Sequence, residues 1–94
     1  MNALEKYKLH IRSAAFFMDK ANESYEQGNR ALKNEDVDAV MQCARNLDHL
    51  SRRIQSEMDA AEKLLPEVQL RVMLGLDVLS PPDFTIPKFR GLGE

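Results

Sequence analysis

Few side chains in this sequence could carry acid–base, nucleophilic or metal chemistry. The two histidines, His10 and His49, belong to different predicted helices, and His10 is expected to lie near Glu57 of the facing helix. A histidine beside a glutamate could relay protons, but a packed or half-exposed imidazole is the commoner role. His49 has Arg45 and Arg53 as its helical neighbours, and their positive charges would repel a metal cation.

The single cysteine and the acidic cluster before it have structural explanations. Cys43 has no adjacent base and occupies an apolar position, so we interpret it as a small buried hydrophobic residue. Glu35, Asp36 and Asp38 stand at the start of a predicted helix, where carboxylates cap the helix and complement its dipole. The sequence shows no EF-hand, P-loop, dinucleotide-binding or zinc-protease motif. It therefore predicts a protein that is not an enzyme and that uses no metal or cofactor.

Composition and charge narrow the classes of partner. The 94 residues suffice for one small domain, and 13 basic against 15 acidic residues give a net charge of −2. Such a balance argues against broad binding to nucleic acid or to an anionic membrane. Two small basic clusters, Lys6–Arg12 and Arg45–Arg53, are interpreted as solvated helix faces.

The cysteine count and the N-terminal residues bear on location. With Cys43 as the only cysteine, no intrachain disulfide can form, which is typical of a reducing cytoplasm. The opening "MNALEKYKLHIR" mixes charged residues throughout and resembles neither a signal peptide nor a membrane-spanning helix. We expect a soluble cytoplasmic protein without membrane attachment.

The spacing of apolar residues predicts two long helices. A heptad pattern from Leu4 to Leu32, with Asn2 as N-cap, predicts a helix over residues 3–33. A second heptad pattern predicts a helix over residues 37–65, after a turn in which Asn34 takes the left-handed conformation. Two helices of matched length joined by a short turn fold back antiparallel. The predicted fold is all-α, a long antiparallel helical hairpin with a heptad, coiled-coil-like seam.

Pairing the two heptad patterns outward from the turn supports this hairpin. In most layers a large residue faces a small one, as close packing requires. The predicted layers include Leu32 with Val37, Gly28 with Val40, Tyr25 with Ala44, and Tyr7 with Ala61.

The two flanks of the seam differ in polarity. The polar flank consists of Lys8, Ala15, Asn22 and Asn29 with Met41, Asp48, Gln55 and Glu62. The apolar flank consists of Phe16, Phe17, Cys43, Leu50 and Leu64. Because the apolar flank is too hydrophobic to face water, we expect it to be covered by the rest of the chain or by a second copy in a homodimer.

Residues 66–79 carry two competing patterns. With Pro66 as a first helical residue, they predict a short third helix over residues 67–79. Alternation from Val68 to Val78 is instead typical of a strand. We favour the helix, because no other part of the chain alternates and could pair with a strand. The hairpin with its third helix would then occupy residues 1–79.

Residues 80–94, "SPPDFTIPKFRGLGE", are predicted to form an extended, proline-punctuated tail. Extended segments with spaced apolar side chains dock into grooves. The predicted partner-binding residues are Phe84, Ile86, Phe89, Arg90 and Leu92. The tail could equally fold back over the Phe17–Leu50 side of its own hairpin, or exchange between two copies.

The opening stretch "MNALEKYKLHIRSAAFFMDKA", together with the small helical make-up and the lack of catalytic residues, resembles the smaller of the two anti-RecBCD proteins of lambdoid phages. This resemblance implies a phage accessory protein, an inhibitor that modulates the host recombination nuclease through protein contact. It implies no site residues.

The leading hypothesis is a non-enzymatic protein-interaction module that binds a protein partner. Two alternatives stay open at this point. One is a nucleic-acid-binding or DNA-mimicking accessory factor, and the other is a small secretion-type chaperone or adaptor.

Overall fold

The computed structural model describes residues 1–78 and 86–92 of the chain, without the side chain of Leu92. It contains two long α-helices, α1 (Ala3–Lys33) and α2 (Val37–Met73), and a short 3-10 helix at Arg90–Leu92. The two long helices pack against each other in a molecule of 57 × 21 × 17 Å. The all-helical hairpin, the bounds of the first helix and the start of the second are therefore confirmed.

Local capping explains where the helices begin and where α1 ends. The side chains of Asn2 and Asp36 accept hydrogen bonds from the backbone of Glu5 and Ala39, at 2.9 and 3.2 Å. The left-handed residue of the turn is Glu35, with φ of 56°, and not Asn34 as the sequence predicted. The Asp36 N–H donates to Ala31 O at 2.9 Å, a bond that closes the end of α1 in a Schellman motif.

The predicted third helix over residues 67–79 is wrong, because α2 continues through Pro66 to Met73. Proline removes one backbone hydrogen bond and normally breaks or kinks a helix. Here Pro66 is exposed, and the turn that follows it is held by the fully buried Val68. Val68 belongs to the same core cluster as Ala3 and Leu4 in the first turn of α1. Packing against α1 thus outweighs the local signal of the proline.

The alternative strand over Val68–Val78 is not formed either. Residues 68–73 are helical, and no strand occurs within residues 1–78 or 86–92. The C-terminus of α2 is closed by Gly75, whose φ is +73°, and by a bond of 2.9 Å from Leu76 N to Arg71 O. Glycine suits this position because the left-handed conformation carries no Cβ penalty.

The helix interface departs from the predicted layers near the turn. Leu32 and Val37, predicted to face each other, are 65% and 66% exposed. Cys43 is buried and Ala44 is exposed, and a Cβ on Gly28 would lie 3.3 Å from Cys43 Cβ. An α-helix has 3.6 residues per turn, so a strict heptad seam drifts by about 20° per heptad in a straight helix. The buried stripe therefore moves onto part of the apolar flank.

The C-terminal segment, residues 86–92, lies beside α1 through its 3-10 helix. Within this segment residues 86–89 have no regular secondary structure. The predicted boundary between residues 79 and 80, and Phe84, lie outside the described residues.

Candidate functional site

The side chain of Asn22 holds the C-terminal segment against the hairpin. Asn22 is only 3% exposed, on the flank that the sequence marks as polar. Its Nδ2 donates to the carbonyl oxygen of Lys88 at 3.2 Å, and its Oδ1 accepts from the backbone nitrogen of Arg90 at 2.8 Å. The amide thus binds the main chain on both sides of Phe89, and both of its polar atoms are satisfied.

Phe89 points into a groove between the two helices, which we call the tail groove and define by Met18, Ala21, Asn22, Tyr25, Leu47 and Ile54. Its ring meets the Tyr25 ring edge to face, with centroids 5.4 Å apart and an interplanar angle of 73°. Such aromatic pairs contribute about 0.5–1.5 kcal/mol beyond the area they bury. Phe89 is therefore the apolar anchor of the segment.

Two further contacts and one glycine surround Phe89. The guanidinium of Arg90 pairs with the Glu26 carboxylate at 2.9 Å, between two exposed side chains. Ile86 packs partly buried against the main core cluster. A Cβ on Gly91 would lie 2.5 Å from the Phe89 ring and 2.9 Å from the Tyr25 ring. Only a glycine fits there without a shift of the segment.

Residues of the predicted partner-binding set thus contact this chain's own hairpin. Ile86, Phe89 and Arg90 come together around Asn22, whereas Phe84 and the side chain of Leu92 lie outside the described residues. The described part of the tail folds back, as one of the sequence alternatives has it, but onto the polar flank and not onto the Phe17–Leu50 side. The sequence pattern did not identify Asn22 as a site residue, because an asparagine at a flank position is typical of solvated surface.

The apolar flank is divided between the interface and the surface. Cys43 is buried, Leu64 packs against the core cluster, and Leu50 is half-buried. The Arg53 guanidinium carbon lies 5.0 Å from the centroid of the half-buried Phe17 ring. Phe16, by contrast, is 56% exposed.

The predicted proximity of His10 and Glu57 is confirmed. His10 Nδ1 and Glu57 Oε2 are 2.6 Å apart and partly buried. His49 is exposed. Among the residues that the structure describes, no three His, Cys, Asp or Glu side chains are grouped to hold a metal ion.

Several large apolar side chains are exposed at the end of α2, where the sequence predicted an internal layer. We define the α2-end surface by Leu70, Met73, Leu74, Leu76 and Val78, which are between 54% and 83% exposed. Arg71 Nε pairs with Asp77 Oδ2 at 2.5 Å, and this hydrogen bond raises the pKa of Arg71. The pair ties the residues after the helix back to its last turn.

Comparisons with protein-family models, with curated proteins and with solved structures found no match to this chain. Within the described part of the chain, neither long helix contains a stretch apolar enough to cross a membrane.

Proposed function

We propose that this chain is a non-enzymatic protein-interaction module that binds another protein through the α2-end surface. The observation that carries the proposal is the exposure of five large apolar side chains at one end of the hairpin. Large exposed apolar patches on proteins mark sites of interaction with other molecules.

The arrangement of these side chains supports a defined contact surface. Leu70, Met73 and Leu74 follow the i, i+3, i+4 spacing that places residues on one helix face. The bond from Leu76 N to Arg71 O returns the chain over the last turn, where Schellman motifs bring the following apolar residue beside the helix. Because these closing bonds fix the main chain after the helix, little backbone entropy is lost when a partner covers the surface.

The partner class in this proposal follows from the resemblance of the N-terminal stretch to anti-RecBCD proteins. On that basis the partner is the host recombination nuclease, and the chain acts as an accessory inhibitor through protein contact. A second copy of the chain is the other protein that would cover this surface, in a contact different from the homodimer through the apolar flank that the sequence predicted.

The test compares two pairs of substitutions at opposite ends of the hairpin. Leu70→Asp with Leu74→Asp places charges on the α2-end surface, and Leu32→Asp with Val37→Asp places them on similarly exposed residues beside the turn. Binding to purified RecBCD is measured by biolayer interferometry, and light scattering gives the mass of each variant.

We expect the first pair to weaken binding at least tenfold and the second pair to leave it unchanged, because buried interface positions do not tolerate unpaired charge. If the first pair instead lowers only the mass, from dimer to monomer, the partner at this surface is a second copy. Wild-type binding and wild-type mass in the first pair would refute the proposal.

A further inference from the structure

We propose that the tail groove is a binding site for a peptide segment of another protein that carries an aromatic residue followed by a basic residue. Residues 86–92 of this chain occupy the site in cis. The inference concerns a different surface from the α2-end surface and does not depend on the function proposed for it.

Asn22 recognises the main chain of its ligand. Its amide bonds the carbonyl of Lys88 and the N–H of Arg90, which are main-chain groups flanking one side chain. Any peptide without a proline after its central residue offers this pair of groups. The buried Asn22 therefore recognises main-chain groups and not a particular side chain, as in other recognition of added peptide segments.

Specificity comes from two neighbouring features. The ligand residue between the two bonded main-chain groups, Phe89 in this chain, has its side chain against the Tyr25 ring and an apolar wall. This wall consists of Ala21, Leu47 and Ile54, so an aromatic side chain is favoured at this position. The next position lies beside the Glu26 carboxylate, which favours a cation. Because Glu26 is exposed, the charge adds selectivity more than affinity.

The chain's own segment does not fill the tail groove. A cleft of about 340 Å³ remains beside Phe89, against Leu47, Ser51 and Gln55. A second cleft, of about 390 Å³, lies along the other edge of the segment, where Met58 is exposed. A ligand with a larger aromatic side chain, such as an indole, would bury more of this apolar wall and bind more tightly than the segment itself.

An attached segment competes strongly with a separate peptide. A covalently tethered ligand reaches effective concentrations on the order of millimolar. The apparent affinity for a peptide in solution is then reduced by the fraction of molecules with an empty groove. Emptying the groove by substitution in the segment should therefore reveal the site.

The experiment uses the full chain with Phe89→Ala and Arg90→Ala, which removes the anchor and the cation of the cis ligand. The probe is a fluorescent peptide of residues 86–92, "IPKFRGL", and fluorescence anisotropy measures its binding. Three further peptides carry Phe89→Trp, Phe89→Ala or Arg90→Glu. Asn22→Ala added to the emptied chain serves as the matched receptor control.

We expect the emptied chain to bind the peptide at least tenfold more tightly than the wild-type chain. The Phe89→Trp peptide should bind more tightly still, the Phe89→Ala peptide at least tenfold more weakly, and the Arg90→Glu peptide a few-fold more weakly. Asn22→Ala should weaken binding at least fivefold. The proposal is refuted if an emptied chain with wild-type helicity binds no peptide, or binds the Phe89→Ala peptide equally well.

A second measurement covers the case in which the emptied chain does not fold. The Phe89→Trp peptide at millimolar concentration is added to the isotope-labelled wild-type chain, and the Arg90 amide resonance reports displacement of the segment. An unchanged resonance also refutes the proposal. A wild-type dimer that Phe89→Ala and Arg90→Ala convert to a folded monomer would instead identify the occupant as the same segment of a second copy.

Discussion

Asn22 and Arg90 are 68 positions apart in the sequence and are joined by a hydrogen bond of 2.8 Å from the Arg90 backbone to the Asn22 side chain. The bond connects the middle of the first helix to the C-terminal segment. With its companion bond to Lys88, it makes a buried polar side chain the attachment point of a segment whose residues 86–89 have no regular secondary structure.

Replacing Asn22 should therefore release the C-terminal segment. Asn22→Ala removes both hydrogen bonds between the side chain and the C-terminal segment, at a cost of about 1–3 kcal/mol. The Tyr25 ring should lose its contact with Phe89, which NMR detects as a change in the Tyr25 ring resonances. Asn29→Ala, one heptad further along the polar flank and exposed, is the matched control and should leave these resonances unchanged.

Adding a methyl group at Gly91 should have a similar effect through steric overlap. The new Cβ would lie 2.5 Å from the Phe89 ring, well inside van der Waals contact. We expect Gly91→Ala to weaken docking of the segment by about 1–3 kcal/mol, the usual cost of overpacking. Hydrogen exchange at the Arg90 amide measures this loss as reduced protection.

The comparison variant is Arg90→Ala, which removes only the exposed ion pair with Glu26. Exposed pairs contribute about 0–1 kcal/mol. Protection should therefore fall less in Arg90→Ala than in Gly91→Ala. The reverse order would mean that the ion pair, and not the aromatic packing, holds the segment.

Pro66→Ala should stabilise the protein. The substitution restores a backbone N–H inside a continuous helix, where proline costs about 3 kcal/mol relative to alanine in a regular helix interior. Since α2 continues through this position, we expect the free energy of unfolding to rise by about 1–3 kcal/mol in urea titrations. A separate third helix beginning at Pro66 would give little change, because a first helical residue makes no such bond.

Two glycine substitutions in the turn should distinguish the relief of backbone strain from the general effect of a more flexible residue. Glu35 is left-handed, so Glu35→Gly should raise the free energy of unfolding by about 0.5–1 kcal/mol. Asn34 has a φ of −89° and gains no such relief, so Asn34→Gly should lower it by a similar amount. Both are measured as shifts of the urea midpoint, and shifts of the same sign would contradict the assignment of the left-handed residue.

Much of the hairpin could be predicted because its determinants are local. The caps at Asn2 and Asp36 act over three residues, and the heptad patterns show which side of each helix is apolar. The left-handed residue was misassigned by one position, from Asn34 to Glu35. Residue preference favours asparagine there, whereas the hydrogen bonds that close the helix decide which residue follows its last turn.

The candidate sites could be predicted only in part. The apolar spacing of Ile86 and Phe89 indicated a docking segment, and the structure places both residues against this chain's own hairpin, on the flank that the sequence did not predict. Nothing local to Asn22 shows that it is buried. Its burial depends on a segment more than sixty positions away, and so does the choice between the two flanks of the seam.

By itself the sequence determined the all-helical hairpin, the extent of α1 and the start of α2, because hydrogen bonds and side-chain periodicity within a few residues specify them. Tertiary structure decided that α2 continues past Pro66, that the buried stripe moves toward Cys43, and that residues 86–92 lie on the polar flank. Each of these depends on contacts between distant residues. Val68 packs with Ala3 and Leu4, Gly28 faces Cys43, and Asn22 binds Arg90, and these contacts outweigh the local preferences.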